Sequence, residues 1–318
     1  MQSCELILRA DAPREEWLAV RNTGIGGSDA GVILGLNKWK SPITLWAEKT
    51  GRAEPEDLSG NEAVYWGTKQ EPLVAERFYE ETGKKVKRRG TLRSRPYPWM
   101  LANVDRWVVG EKAGLEIKTT NAFSAAAWDG DEIPDSYYAQ CLHYMAVTGA
   151  EKWYIAVLIG GQDFRWKKIE RIDRDIDLLI EKESKFWELV KSDTMPAPID
   201  SSESTARTLS KMYSGGGDPV ELPKFAEDII ARYDALTAKK KQFDTAIQGC
   251  KNELMGLMQN AETATATVNG RKITWKTGKP RETVSLTDIK KKDPASYEAL
   301  KAAGLVKVSE PSRTFRIW

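Results

Sequence analysis

The chain has 318 residues, with 48 basic against 46 acidic side chains (net charge +2), 41% hydrophobic residues and 30% charged residues. That length accommodates two domains or one large domain with an extension. A mean hydropathy of −0.50, with no apolar run near the roughly 18 residues of a membrane span, excludes an integral membrane helix. Three scattered cysteines (Cys4, Cys141, Cys250) and one histidine (His143) exclude a disulfide framework, a zinc knuckle, a four-cysteine iron–sulfur cluster and a histidine-rich metal site. Metal chemistry here must therefore rest on carboxylates, which favours Mg²⁺ or Mn²⁺. The opening M-Q-S-C-E-L-I-L-R lacks a basic n-region and a long apolar h-region, so a cytoplasmic protein is expected.

In chain order, Pro13 to Arg21 reads as a short helix, followed by the glycine-rich turn Gly24 to Gly27 and a second helix capped by Ser28 or Asp29. Ser41-Pro42 is an N-cap and first-turn pair for a helix that Gly51 ends. Asn61 to Thr82 reads as a longer helix closed by Gly83, with Pro72 at a kink or a new first turn. From Lys84 the texture changes to runs with β-branched and aromatic residues at 84–88, 91–95, 100–109 and 113–119. Asp135 to Thr148 is helical by the spacing of Tyr138, Cys141, Leu142 and Met145. Strands at Lys152 to Ile159 and Asp163 to Ile169 precede a helix at Asp173 to Lys191. Helices first, then a sheet with a helix between strands, make a mixed α/β layer fold.

Residues 194–220 are rich in Pro, Ser, Thr and Gly and read as a linker between a domain at 1–193 and a module at 221–318. Within that module, Glu221 to Gln259 places Phe225, Ile229, Tyr233, Leu236, Phe243 and Ile247 at helical spacing, as in a long amphipathic helix or coiled-coil arm. A small β-rich tail follows, with candidate strands at Ala264 to Val268, Lys272 to Lys276 and Arg313 to Trp318. The charge is uneven. Residues 1–218 carry 30 basic and 34 acidic side chains, and residues 219–318 carry 18 and 12. Lys84 to Arg95 holds seven basic residues and no acidic one, either a polyanion track or a solvated hairpin face.

The strongest chemical signal is Asp105 followed by Glu116-Ile117-Lys118. On a strand, residues two apart share a face, so Glu116 and Lys118 point together and Ile117 points the other way. A hairpin around Gly110 to Ala113 sets Asp105 at the same end. Two carboxylates with a lysine beside them suit a divalent metal and an oriented water. An ordinary exposed ion pair on an edge strand has the same spacing.

Four blocks in order resemble the PD-(D/E)XK nuclease superfamily, in particular its lambda exonuclease and YqaJ-like viral recombinase (alkaline exonuclease) branch. They are W-L-A-V-R-N-T-G-I-G-G-S-D-A (17–30), W-G-T-K-Q-E-P-L-V-A-E-R-F-Y-E-E-T-G (66–83), the Asp105 to Lys118 core, and Y-Y-A-Q-C-L-H-Y-M-A-V-T (137–148). The resemblance implies a restriction-endonuclease-like mixed central sheet flanked by helices, to which the helical arm and the β-rich module are appended. It implies that Asp105, Glu116 and the Ile117 backbone carbonyl bind Mg²⁺ (or Mn²⁺), that two ions take part, and that Glu71 completes the acidic site. Lys118 would position the water. Arg21, Ser28 and Gln140 would line a pocket for a 5′-terminal phosphate, for which a guanidinium, a hydroxyl and an amide are suitable donors. The superfamily often has Pro before the first Asp, whereas Asn103-Val104 stands here.

The function so implied is a 5′→3′ exodeoxyribonuclease acting on double-stranded DNA ends and leaving 3′ tails for phage-type recombination. A single-strand annealing protein is the implied partner, and a homo-oligomer, by resemblance a trimer, the implied assembly. An endonuclease or single-strand nuclease on the same fold, and a catalytically silent DNA-end-binding scaffold, remain alternatives. The basic C-terminal module suits DNA, an annealing partner or another copy of the chain. G-I-G-G-S-D lacks the Walker lysine, which argues against a nucleotide loop. His143, three residues after Gln140, is read as a packed or surface histidine before a DNA contact. Trp39, Trp46, Trp66, Trp99, Trp107 and Trp128 are read as mostly core.

Overall fold

The computed structural model describes residues 3–213, 215–268, 270–280 and 283–308, with 315 and 317. The chain divides into two compact units, Met1–Ser214 and Gly215–Trp318.

The first unit begins with β1 (Cys4–Leu8), α1 (Arg14–Arg21), β2 (Ile25–Gly26), α2 (Gly27–Ile33) and α3 (Pro42–Lys49). Gly26, not Ser28 or Asp29, is the N-cap of α2, and the Asp29 carboxylate reaches back to the Gly26 amide at 3.1 Å. That is the return arm of a capping box, and it leaves the Ser28 hydroxyl free for other work. In α3 the Ser41 hydroxyl accepts from the Thr44 amide at 3.1 Å, and Pro42 fills the first turn, where no amide hydrogen is needed. Next comes α4 (Glu62–Thr82), capped by the Asn61 side chain and closed by Gly83 at φ 69°, a left-handed position suited to glycine. Pro72 sits inside α4 at the cost of one backbone hydrogen bond.

Two sheets follow. β3 (Val86–Lys87), β4 (Thr91–Ser94), β5 (Met100–Ala102), β6 (Arg106–Val108) and β7 (Ala113–Thr120) precede a 3₁₀ turn at Ala122–Trp128. Then come α5 (Asp135–Thr148), β8 (Lys152–Ile159), β9 (Asp163–Glu170), α6 (Asp173–Lys191) and α7 (Glu203–Met212). The larger sheet has the order β3-β6-β7-β8-β9, the smaller β1-β4-β5-β2. Within the larger sheet only β7 and β8 run parallel; α5 carries the crossover that a parallel pair requires. The single strand expected at 100–109 is instead two strands in different sheets, and the chain crosses between them at Asn103 to Asp105. The β6–β7 hairpin has the pairs Arg106↔Leu115 and Trp107↔Gly114.

Alternation along β7 separates the layers. Ala113, Leu115 and Ile117 pack on Val74, Ala75 and Phe78 of α4. Beside β7, the β8 side chains Trp153, Ile155 and Val157 join the core of α5 and α6 on the other face. Most of the tryptophans read as core behave so in part only: Trp46 and Trp128 are buried, while Trp39 and Trp66 are exposed. His143 is fully buried, with Nδ1 at 2.8 Å from Glu183 of α6 and Nε2 at 2.9 Å from the Leu101 carbonyl. It ties α5 to α6 and the smaller sheet.

Part of the stretch expected as a linker is a helix. α7 docks on α3 through hydroxyls: Thr44 Oγ1 lies 2.8 Å from Ser204 and 2.7 Å from Thr208, and Thr205 donates to Ser41 at 2.8 Å. A Ser/Thr-rich composition resembles a loop, but here the hydroxyls satisfy one another.

The second unit holds α8 (Ala226–Met258), the antiparallel pair β10 (Thr263–Thr265) and β11 (Lys272–Thr274), α9 (Leu286–Lys292) and α10 (Pro294–Ala302). The tail beyond α8 thus carries helix as well as strand, started by the caps Ser285 and Asp293. The strand expected at 313–318 lies outside the described residues, apart from 315 and 317. Among the described residues no helix is long and apolar enough to cross a membrane.

Candidate active site

The crossing between the sheets builds the centre of the site. Beyond the last β6–β7 pair, the Ile117 amide donates to Asp105 Oδ2 at 2.8 Å, so the acid is fixed to β7 between Glu116 and Lys118. Asn103 anchors the crossing. Its side chain accepts from Trp17 at 3.1 Å and Thr91 at 2.5 Å, and its carbonyl accepts from the Tyr144 hydroxyl at 2.9 Å. These bonds hold the turn without the proline that the superfamily often places there.

Glu116 and Lys118 share the face of β7 toward α5. Lys118 Nζ lies 2.6 Å from Glu116 Oε1 and donates to Gln140 Oε1 at 3.0 Å. Gln140 in turn donates to Glu116 Oε1 at 2.8 Å and to the Tyr144 hydroxyl at 2.9 Å. The Tyr137 ring lies 4.7 Å from the Lys118 ammonium. Burial, and then the neighbouring charge of Glu116, push the Asp105 carboxyl well above the usual carboxylate range, against the pull of Lys118 and the Ile117 amide. Burial opposes the Lys118 ammonium, yet Glu116 and Asp105 outweigh it and keep the lysine charged.

One oxygen stands out. Glu116 Oε2 is buried and has no hydrogen-bond partner, a costly state for an anionic oxygen. Two facing carboxylates, one with an unpartnered oxygen, match the all-oxygen donor set of a hard divalent cation. Among the described residues, however, no three His, Cys, Asp or Glu side chains converge on a metal-sized site. Glu71 is turned instead to Arg106, whose Nη1 also donates to the Asp105 carbonyl at 2.7 Å. Arg106 thus links Glu71 to the backbone of Asp105.

Arg21 and Ser28 are brought together: Arg21 Nη2 donates to Ser28 Oγ at 3.0 Å. Arg21 also lies 3.5 Å from Asp29 and 5.2 Å from the Trp17 ring centroid. Asp29 pairs with Lys49 at 3.0 Å, and Lys49, with a side chain only 3% exposed, donates to the Arg21 carbonyl at 2.9 Å. Gln140 bonds the acidic centre and not Arg21 or Ser28. Tyr144 joins the two groups: it accepts from Gln140, and its ring lies 2.5 Å from where a Cβ on Gly27 would stand, so only glycine lets α2 approach α5 this closely.

Arg106, Lys49, Asp29 and Tyr144 did not emerge from the sequence as site residues. Tyr144 was accessible, because it stands four residues after Gln140 on one helix. Lys49 reads as an ordinary basic residue in the last turn of α3. The Lys84 to Arg95 ridge is partly neutralised: Lys84 pairs with Glu111 at 2.6 Å, and Arg89 lies over Trp107 at 4.5 Å. Lys85, Lys87 and Arg88 remain exposed.

A five-stranded mixed sheet with α4 on one face and α5 and α6 on the other is the architecture of the PD-(D/E)XK class of fold, and here Asp105, in the crossing before β6, is bonded to the β7 strand that carries Glu116 and Lys118. The alkaline exonuclease LHK-Exo of Laribacter hongkongensis, in its crystal structure with dAMP, matches with a TM-score of 0.50 at 23% identity, over 56% of this chain and 93% of that one. The YqaJ-like viral recombinase domain is matched over residues 16–151. YqaJ of Bacillus subtilis (strain 168) is 41% identical over 263 residues, 81% of this chain and 82% of that protein. The chain belongs to the YqaJ-like viral recombinase family.

Proposed function

We propose that this protein is a metal-dependent exodeoxyribonuclease that degrades double-stranded DNA from its 5′ ends and leaves 3′ single-stranded tails. The observation that carries the reading is the Asp105–Glu116–Lys118 group, with buried Glu116 and its unpartnered oxygen at the centre, together with a paired guanidinium and hydroxyl at Arg21 and Ser28. A catalytically silent binder gains nothing from burying acids beside DNA phosphates.

In this reading Asp105, Glu116 and the Ile117 carbonyl would hold Mg²⁺, with Mn²⁺ as a substitute and two ions in all, and Glu71, paired here with Arg106, would complete the acidic set. Bound there, the ions supply Lewis-acid stabilisation of the charge that develops on the scissile phosphate. The remaining work is done by the chain. Lys118, charged, donates to the attacking water and orients its lone pair toward phosphorus. Gln140 holds Glu116 and Lys118 in register through two hydrogen bonds. Arg21 and Ser28 grip the terminal 5′ phosphate, which places the first phosphodiester, rather than an internal one, over the acidic pair. The 3′ tail is the form of DNA that a strand-annealing partner takes.

The test is digestion of linear duplex bearing 5′ phosphate or 5′ hydroxyl ends, alongside covalently closed circles, in Mg²⁺ or in EDTA. Loss of linear DNA only, in Mg²⁺ only and faster with 5′ phosphate, is the expected result. Cutting of the circle reassigns the protein as an endonuclease. End binding without digestion leaves a scaffold.

A further inference from the structure

Along α8, Ile229, Leu236, Phe243, Cys250 and Leu257 recur at intervals of seven residues. Tyr233, Lys240, Ile247 and Leu254 form a second series with the same interval, four residues after the first. Together they are the two seam positions of a heptad repeat, occupied by apolar or aromatic side chains and one lysine. The seam is bare: Leu236, Phe243 and Leu257 are 60%, 67% and 82% exposed.

The periodicity says what kind of surface covers it. A straight α-helix drifts about 20° per heptad from a strict seven-residue repeat, so over four heptads the stripe rotates by about 80°. A helix lying on a globular body follows the 3.6-residue period, whereas a strict seven-residue step is that of helices wound around each other. Length narrows the choice further. At 33 residues, α8 is about 50 Å long, and among the described residues the other helices of its unit, with 7 and 9 residues, could cover only a fraction of that.

We propose that α8 pairs with α8 of a second copy of this chain, antiparallel and along its full length. The two directions differ in what the seam places face to face. A parallel pair in register sets Lys240 against itself in the seam, two like charges in a partly dry layer. The antiparallel pair centred between Lys241 and Gln242 sets Lys240 against the partner's Phe243, a cation over an aromatic ring. The same register matches Leu236 with the partner's Ile247 and Ile229 with the partner's Leu254, and overlaps the helix from Ala226 to Leu257. On the flank, Arg232 meets the partner's Glu253, and the two-fold axis repeats the pair. No like charges meet on either flank. The assembly is independent of the nuclease reading, so either can fail alone.

Cysteine chemistry tests pairing and direction together. Tyr233 stands opposite the partner's Cys250, so Tyr233→Cys is expected to form a covalent dimer under mild oxidation, lost again in Tyr233→Cys with Cys250→Ser. The wild-type Cys250 residues stand about 25 Å apart in this register, too far for a disulfide, and wild type is expected to stay uncrosslinked. Crosslinking of wild type through Cys250, with none gained by Tyr233→Cys, overturns the antiparallel arrangement. By light scattering, wild type is expected at twice the chain mass or more, and Leu236→Asp at half the wild-type value or less, with its nuclease unit intact by thermal melt. A monomeric wild type, or an unchanged mass in Leu236→Asp, overturns the pairing.

Discussion

The Asp105 carboxylate holds the Ile117 amide at 2.8 Å, which locks the acid to the strand that presents Glu116 and Lys118. A backbone hydrogen bond thus fixes where the acid stands relative to those two side chains. Asp105→Asn keeps an oxygen for the Ile117 amide while removing the acid that Glu116 repels. The metal-free variant is expected to melt no lower than wild type, as active-site charges are relieved. Saturating Mg²⁺ is expected to raise the wild-type melting temperature, by about 2.7 kcal/mol of stability at a hundredfold excess over Kd, and to leave the variant unmoved.

Lys118 contacts both Glu116 and Gln140. Lys118→Met is expected to lower kcat by roughly 10²-fold, the scale of a misplaced reacting group, with DNA-end affinity within a few-fold of wild type. Single-turnover rates against binding titrations separate the two effects. Equal losses in both would place the lysine in binding instead.

Arg21 and Ser28 form the proposed end grip. Arg21→Ala is expected to cut the rate on 5′-phosphate ends by about 10- to 100-fold, the value of a charge-assisted hydrogen bond, and to leave the slower rate on 5′-hydroxyl ends nearly unchanged. The ratio of the two rates reads the pocket directly, since a general folding defect lowers both.

Beneath that grip, Asp29 is held by Lys49. Burial raises its pKa, but Lys49, Arg21 and the Gly26 amide outweigh burial and bring it from 3.8 down to about 2. A depressed carboxylate stabilises the fold above its unfolded value, and the stabilisation is lost as pH falls from about 4 toward 2. It amounts to about 2 kcal/mol. Asp29→Asn leaves Lys49 buried without its counter-ion and is expected to cost about 3 to 5 kcal/mol near neutral pH, with a smaller gap to wild type at pH 3. Urea melts at the two pH values measure this; a gap that does not narrow in acid contradicts the ion pair.

The elements with local signatures were legible. Asn61 with Gly83, and Ser41 with Pro42, mark their helices through caps whose chemistry is written within four residues. Glu116 and Lys118 followed from the two-residue period of a strand. What the sequence withheld depends on distance along the chain. The break between β5 and β6 comes from Asn103 being bonded by Trp17, Thr91 and Tyr144, none of them near it in sequence. The same is true of Glu71, whose partner Arg106 lies on another element, and of α7, whose serines and threonines look like a linker until Ser41 and Thr44 meet them. His143 stands on the same helix as Gln140, yet its ring turns into the core to meet Glu183, a residue of α6 that no local pattern pairs with it.

Metal-dependent removal of nucleotides from 5′ ends is assigned to the Asp105–Glu116 pair. It is tested most directly with 5′-phosphorylated linear duplex carrying a label at either the 5′ or the 3′ terminus of one strand, incubated in Mg²⁺ with wild type or Asp105→Asn. Wild type is expected to release the 5′ label at once while the 3′ label stays on a shortening strand, and the variant to release neither. Earlier release of the 3′ label, or digestion by Asp105→Asn at the wild-type rate, contradicts the claim.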